Sequence, residues 1–158
     1  MPTKVLIATY SWSGTTAKMA TALQRVTGAT QVTLTVPAGT FSNDMYATAD
    51  VVNQQLASGH LPELTNALPD FTQFDVILVG GPVWSAKVAT PVRRFLRQLT
   101  TYTGTVAPFY TDAGTPGDYE ADFSSLVPRA TVVAGIGMTA GDLAAADQKL
   151  TTWWADFK

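Results

Sequence analysis

The 158-residue sequence predicts an α/β fold in which a parallel sheet carries helices on both faces. Three observations predict it. Apolar, mostly β-branched runs of strand length recur along the chain, helical patterns separate them, and the first run ends in hydroxyls and a glycine that lead into a helix. Right-handed crossovers make such strands parallel, and ligands then bind beyond their carboxyl ends.

The first strand is expected at Val5–Ala8, followed by Thr9-Tyr10-Ser11-Trp12-Ser13-Gly14-Thr15-Thr16 and a helix with Met19, Ala22, Leu23 and Val26 on one face. The junction is a phosphate cradle. Backbone N–H groups and the positive end of the helix dipole lie where the strand stops, and Ser11, Ser13, Thr15 and Thr16 add hydroxyls. No lysine or arginine stands among them. A triphosphate loop requires Gly-Lys-Ser/Thr, so this one suits the single terminal phosphate of a mononucleotide.

A second strand is expected at Val32–Val36 and a second helix after Ser42-Asn43, with the stripe Met45, Ala49, Val52, Leu56 and a stop at Gly59. Gly59–Gln73, with Pro62 inside it and Pro69 near its end, reads as a surface connection. The third strand is expected at Val76–Val79. Thr90-Pro91 opens the third helix as N-cap and first residue, with Val92, Phe95, Leu96 and Leu99 buried. Thr105–Tyr110 is fourth of five strands, although Pro108 removes a ladder donor. A short helix is expected at Tyr119–Leu126 and a fifth strand at Thr131–Ala134. The last helix holds Leu143, Ala146, Leu150, Trp153, Trp154 and Phe157 on one face.

Composition bounds the function. One domain spans residues 1–158, long enough for a single core. The absence of cysteine excludes disulfides, thiolate metal sites and cysteine nucleophiles, and a lone His60 beyond the Gly59 cap leaves neither a triad nor a histidine metal site. A net charge of −2 with 14% charged residues gives no basic face for nucleic acid. The N-terminal apolar run is too short for a signal peptide or a membrane span, so a cytoplasmic protein without a membrane partner is expected.

The segments after the first, third and fourth strands should carry the ligand. Gly80-Gly81-Pro82-Val83-Trp84-Ser85-Ala86-Lys87 places a tryptophan on a rigid turn, where it can stack on a planar ring or pack beneath a loop. Thr111-Asp112-Ala113-Gly114-Thr115-Pro116-Gly117-Asp118-Tyr119 allows close backbone approach at its glycines, and Tyr119 either covers another ring face or sits on the surface at a helix start. Asp112, Asp118, Glu120 and Asp122 form either a negative rim or a solvated helix start. Lys87, Arg93, Arg94 and Arg97 either receive the phosphate of a reduced nicotinamide or an acidic partner, or occupy charged outer positions on the third helix.

Over the whole chain these residues are similar to one family. Ser11-Trp12-Ser13-Gly14-Thr15-Thr16 resembles the flavodoxin phosphate loop, in which Ser/Thr-x-Ser/Thr-Gly-x-Thr holds the phosphate of FMN. Leu68–Trp84 resembles the approach to the isoalloxazine loop in a flavodoxin-like subgroup common in bacteria, and Pro108–Gly114 is similar to its third loop. The resemblance implies a flavodoxin-like three-layer sandwich, a five-stranded parallel sheet of order 2-1-3-4-5, and FMN as cofactor without a metal. The implied FMN contacts are the phosphate loop, Pro82, Val83, Trp84, Ser85 and Ala86, and Thr111, Asp112, Ala113 and Gly114. No catalytic side chain is implied, because the flavin supplies the chemistry.

Two features depart from that pattern. Ser85-Ala86 stands where flavodoxins usually carry a glycine whose peptide flips toward reduced N5, and the chain is close to neutral where flavodoxins are commonly very acidic. An electron carrier serving redox partner proteins and an FMN-dependent NAD(P)H:quinone-type reductase with a small acceptor both remain open. A flavin-free receiver-like regulatory domain lacks the aspartate that should end the third strand, and a serine hydrolase lacks a nearby histidine.

Overall fold

The computed structural model describes residues 3–157, with the side chain of Phe157 outside the described residues. Its elements in order are β1 (Val5–Thr9), α1 (Thr15–Thr27), β2 (Thr30–Thr33), α2 (Met45–Ser58), β3 (Val76–Trp84), β4 (Lys87–Val88), α3 (Thr90–Leu96), β5 (Thr105–Thr111), α4 (Tyr119–Leu126), β6 (Thr131–Val132), β7 (Ile136–Met138) and α5 (Ala146–Phe157). A 3₁₀ segment, Ala140–Ala145, leads into α5.

The main sheet is parallel, in the order β2-β1-β3-β5-β6, with β7 continuing beside β5 where β6 leaves off. This is the expected five-stranded order, its fifth strand divided into β6 and β7. Pro108 accounts for the division. Val106 pairs with Val132 and Phe109 with Ile136, so Val133, Ala134 and Gly135 stand opposite Ala107 and Pro108, where the proline offers no N–H. The Glu120 carboxylate accepts the N–H of Gly135 at 2.7 Å. A Cβ at Gly135 would lie 2.3 Å from the Pro108 carbonyl oxygen, so only glycine fits there.

Two apolar layers enclose the sheet. Met19, Ala20, Leu23, Leu150 and Trp154 of α1 and α5 pack with Ile7, Leu78 and Phe109 on one face. On the other, Val92, Phe95, Leu96, Tyr119 and Phe123 of α3 and α4 pack with Leu6, Ile77 and Val106. Helix α2 differs from the other four. Of its stripe only Val52 is buried, and no residue of α2 belongs to either apolar layer.

Several boundaries depart from the sequence expectation. β2 lies two to three residues earlier than Val32–Val36, because Thr30–Thr33 is the segment in register with β1. β3 runs through Trp84 instead of ending at Val79, since Gly80, Gly81 and Pro82 pair with Phe109, Tyr110 and Thr111 of β5 and Val83 and Trp84 pair with Val88 and Lys87 of β4. Ala89, not Thr90, is the N-cap of α3.

Candidate functional site

The carboxyl ends of β1, β3 and β5 meet at a cavity of about 590 Å³. Its first wall is the turn from β1 into α1. Gly14 occupies the N-cap with φ +94°, a left-handed conformation that favours glycine, and donates its N–H to Ser11 Oγ at 3.0 Å. No side chain caps α1 and no acidic residue stands in its first turn, so the positive end of the helix stays uncompensated. Ser13 and Thr15 share a hydroxyl hydrogen bond at 3.2 Å and line the cavity with Trp12. Ser11, Gly14 and Thr16 frame it without lining it. Thr16 is buried, and its hydroxyl shares a 2.6 Å hydrogen bond with that of Thr111 on β5.

The second wall is the end of β3. Pro82, Val83, Trp84 and Ser85 line the cavity. Trp84 is half-buried, with its ring edge-on to Tyr10 at 5.8 Å and Phe41 at 5.1 Å between centroids. It is therefore a strand residue clamped by an aromatic cluster and not the turn residue expected. Burial within that cluster pushes the Tyr10 hydroxyl up to about 12.

β3 turns into β4 through two residues, with Trp84 opposite Lys87. The turn residues Ser85 and Ala86 have φ +54° and +59°, the two non-glycine residues with positive φ among those described. Two left-handed residues in a two-residue hairpin make a type I′ turn, normally an Asn-Gly position. Surrounding contacts hold it. Ser85 Oγ donates to Asn53 Oδ1 of α2 at 3.3 Å, Ala86 lies against Gly117 so closely that a Cβ there would sit 2.5 Å from its own, and the Val88 N–H donates to Asp122 at 2.9 Å. Arg93 completes that corner by pairing with the same Asp122 oxygen. Arg93 is thus committed to structure, and Arg97 donates to the Gly59 carbonyl.

Thr111, Asp112 and Ala113 supply the third wall. Asp112 donates its N–H to Met138 O at 3.0 Å, and its carboxylate accepts the N–H of Gly114 at 2.6 Å. Gly114 and Ala86 do not line the cavity. Neither does Tyr119, which corrects the expectation that it covers a ring face or lies on the surface. Its side chain is 0% exposed, stacked on Tyr110 at 4.5 Å, with a hydroxyl that lacks a partner. The apolar pattern of α4 turns this residue inward with Phe123, and burial drives its hydroxyl far above the ordinary tyrosine range.

Two segments of the wall were not assigned to the site from sequence. Met45, Thr48, Ala49 and Val52 of α2 line the cavity, as do Thr139, Ala140 and Gly141. The α2 stripe was visible in the sequence but reads as a core face. The second segment carries a signal: Thr139 and Asp142 form a capping box, a Thr-x-x-Asp pattern legible in the chain. Of the described residues that line the cavity, Asp112 alone is charged. The cavity thus joins neutral hydroxyls and a helix N-terminus at one part to an apolar, aromatic-lined part, and these fit the phosphate and the ring of a flavin mononucleotide.

A profile of the flavodoxin family matches residues 4–156. The chain belongs to the flavodoxin family. The crystal structure of a flavoprotein from Lactobacillus acidophilus NCFM in complex with FMN is similar to it at a TM-score of 0.80 and 34% identity, covering 90% of this chain and 97% of that one. A Bacteroides uniformis ATCC 8492 protein classed as a flavoprotein superposes at 0.81 with 20% identity over 98% of this chain and 99% of that one. Two-electron reduced flavodoxin of Megasphaera elsdenii superposes at 0.52 with 18% identity, covering 92% and 98%. These last two likenesses concern the fold. No protein of curated function matches the sequence. No described helix is long and apolar enough to cross a membrane.

Proposed function

We propose that this flavodoxin-family protein binds FMN across the carboxyl ends of β1, β3 and β5 and transfers electrons through it. The observation that carries the reading is the uncapped start of α1 opening into the same cavity that Trp84 lines. Ser13, Thr15 and the leading N–H groups of α1 hold the phosphate, Trp84 and Val83 bear on the ring, and Thr111–Ala113 meet its polar edge. FMN would supply reversible electron and proton uptake. The chain's own groups bind it, orient it and limit water at its apolar side. Ser11, Gly14 and Thr16 keep the phosphate turn in shape, and Ala86 and Gly114 do the same for the two ring loops.

Fluorescence quenching of FMN and of riboflavin tests this reading directly. Tight FMN binding with markedly weaker riboflavin binding is the expected result. Equal affinity for both would remove the phosphate assignment.

An electron carrier with protein partners is the preferred role, since the described residues that line the cavity include no cation for the phosphates of a nicotinamide dinucleotide. The rigid Ser85-Ala86 turn and the near-neutral charge favour the reductase reading instead, because both narrow the gap between the two one-electron steps. Anaerobic mixing of the FMN-loaded protein with NADH or NADPH, with and without a quinone, decides between them: direct two-electron reduction makes the protein an enzyme, and no reduction leaves the carrier.

A further inference from the structure

Helix α2 has 14 residues, yet only Thr48 and Val52 are buried and none of its residues joins either apolar layer of the sandwich. Its stripe borders the cavity instead. Met45 is 67% exposed there, a large apolar side chain left open at the first turn of a helix. The stripe is also held in register with the phosphate loop. Trp12 Nε1 and Thr48 Oγ1 both donate to the Ser42 carbonyl at 3.0 Å, while the adjoining Phe41 packs on Trp84.

From this arrangement we propose that Met45 and Ala49 of α2 form a further wall of the ring slot beside Val83 and Trp84, and that the Trp12–Ser42–Thr48 link sets that wall relative to the phosphate loop. The inference rests on the FMN reading. Its occupant is the planar isoalloxazine, because the cavity is continuous from Ser13 and Thr15 to Met45 and Val52, and a ring anchored by its phosphate at one part must lie along the apolar other. Burying Met45 and Ala49 against the ring removes apolar surface from water only when the ring is present. Trp12, in turn, acts through Ser42 as a positioning residue and does not stack on the flavin.

Binding of FMN, of riboflavin and of inorganic phosphate, the last by competition with FMN, is the test, with amide hydrogen exchange along α2. If the wild-type protein binds no FMN, the functional reading itself fails. Given binding, Ala49→Gln, a neutral change at an exposed helical site, is expected to weaken FMN and riboflavin alike by about tenfold and leave phosphate competition unchanged. Met45→Ala, which removes no buried contact, is expected to weaken both flavins a few-fold. Trp12→Phe and Thr48→Val should do the same while keeping the fold, as circular dichroism will verify. Amides of residues 46–52 gain protection with FMN or riboflavin and not with phosphate. Wild-type riboflavin affinity in both Ala49→Gln and Met45→Ala, unchanged exchange in α2 on flavin binding, or equal weakening of phosphate would each overturn the proposal.

Discussion

Thr16 at the start of α1 and Thr111 at the end of β5 share a buried hydroxyl hydrogen bond of 2.6 Å across 95 residues of sequence. It ties the phosphate turn to the third loop, and its surroundings determine how a mutation there behaves. Thr111→Val leaves the Thr16 hydroxyl buried without its partner, and a loss of about 1–3 kcal/mol is expected. The double change Thr16→Val with Thr111→Val removes both polar groups at nearly constant shape and should be less destabilising than that single change. Urea midpoints at constant slope measure both.

Trp84 combines two roles. Trp84→Ala is expected to weaken FMN by about 1–3 kcal/mol, by analogy with aromatic stacking on bases. It also removes edge contacts to Tyr10 and Phe41, so stability falls by about 1–3 kcal/mol as well. Flavin titration and urea unfolding of the same variant separate the effects, and undiminished stability would show that the aromatic cluster contributes nothing.

At Ser85 and Ala86 the backbone sits where L-residues are strained by about 1–2 kcal/mol each. Ala86→Gly relieves part of that strain and loses some unfolded-state restriction, so a net gain of about 0.5–1 kcal/mol is expected. The gain appears as a higher thermal midpoint. A lower one would mean that the Ala86 contact with Gly117 outweighs the strain.

Alkaline pH should unfold the protein in a defined window. Tyr10 and Tyr102 are pushed up to about 12 by burial, with the charge of Asp75 adding to the shift at Tyr102, and burial with the Glu120 hydrogen bond raises Tyr110 higher still. In the unfolded chain these hydroxyls ionise near pH 10. The stability they contribute is therefore fully present below pH 10 and is lost as pH rises toward 12. Urea midpoints that stay flat from pH 9.5 to 11.5 would contradict this assignment.

The ion pair of Arg93 with Asp122 lies at side-chain exposures of 18% and 10%. Asp122→Ala strands the guanidinium and frees the Val88 N–H at the base of the Ser85-Ala86 hairpin. A loss of about 2–4 kcal/mol is expected, with weaker FMN binding because the turn is released. Arg93→Met combined with Asp122→Ala should recover part of the stability.

Much of the fold was legible because strand and helix periods are local. The runs around Ile7, Leu78 and Val106 are apolar on both faces, and the stripe of α1 ends at a glycine, so parallel strands and their crossovers follow from spacing alone. The Ser13–Thr16 turn was legible for the same reason: strand, hydroxyls, glycine and helix are contiguous. Strand ends were not. β3 continues through Gly80 to Pro82 because β5 lies alongside to pair with it and on to Trp84 because β4 folds back on it, and the fifth strand is interrupted between Val132 and Ile136, where Pro108 stands in the neighbouring strand.

By itself, then, the sequence determined the sandwich, the strand order through its family resemblance, and the hydroxyl turn at the first strand, all carried by contiguous residues. Only the tertiary structure decided that Tyr119 is core, that Trp84 is clamped by Tyr10 and Phe41, and that the Met45–Val52 stripe lines the cavity. An amphipathic stripe specifies that one face of a helix leaves water. What that face meets depends on the rest of the fold: α1, α3, α4 and α5 supply the two apolar layers on the sheet, and the α2 stripe borders the cavity instead.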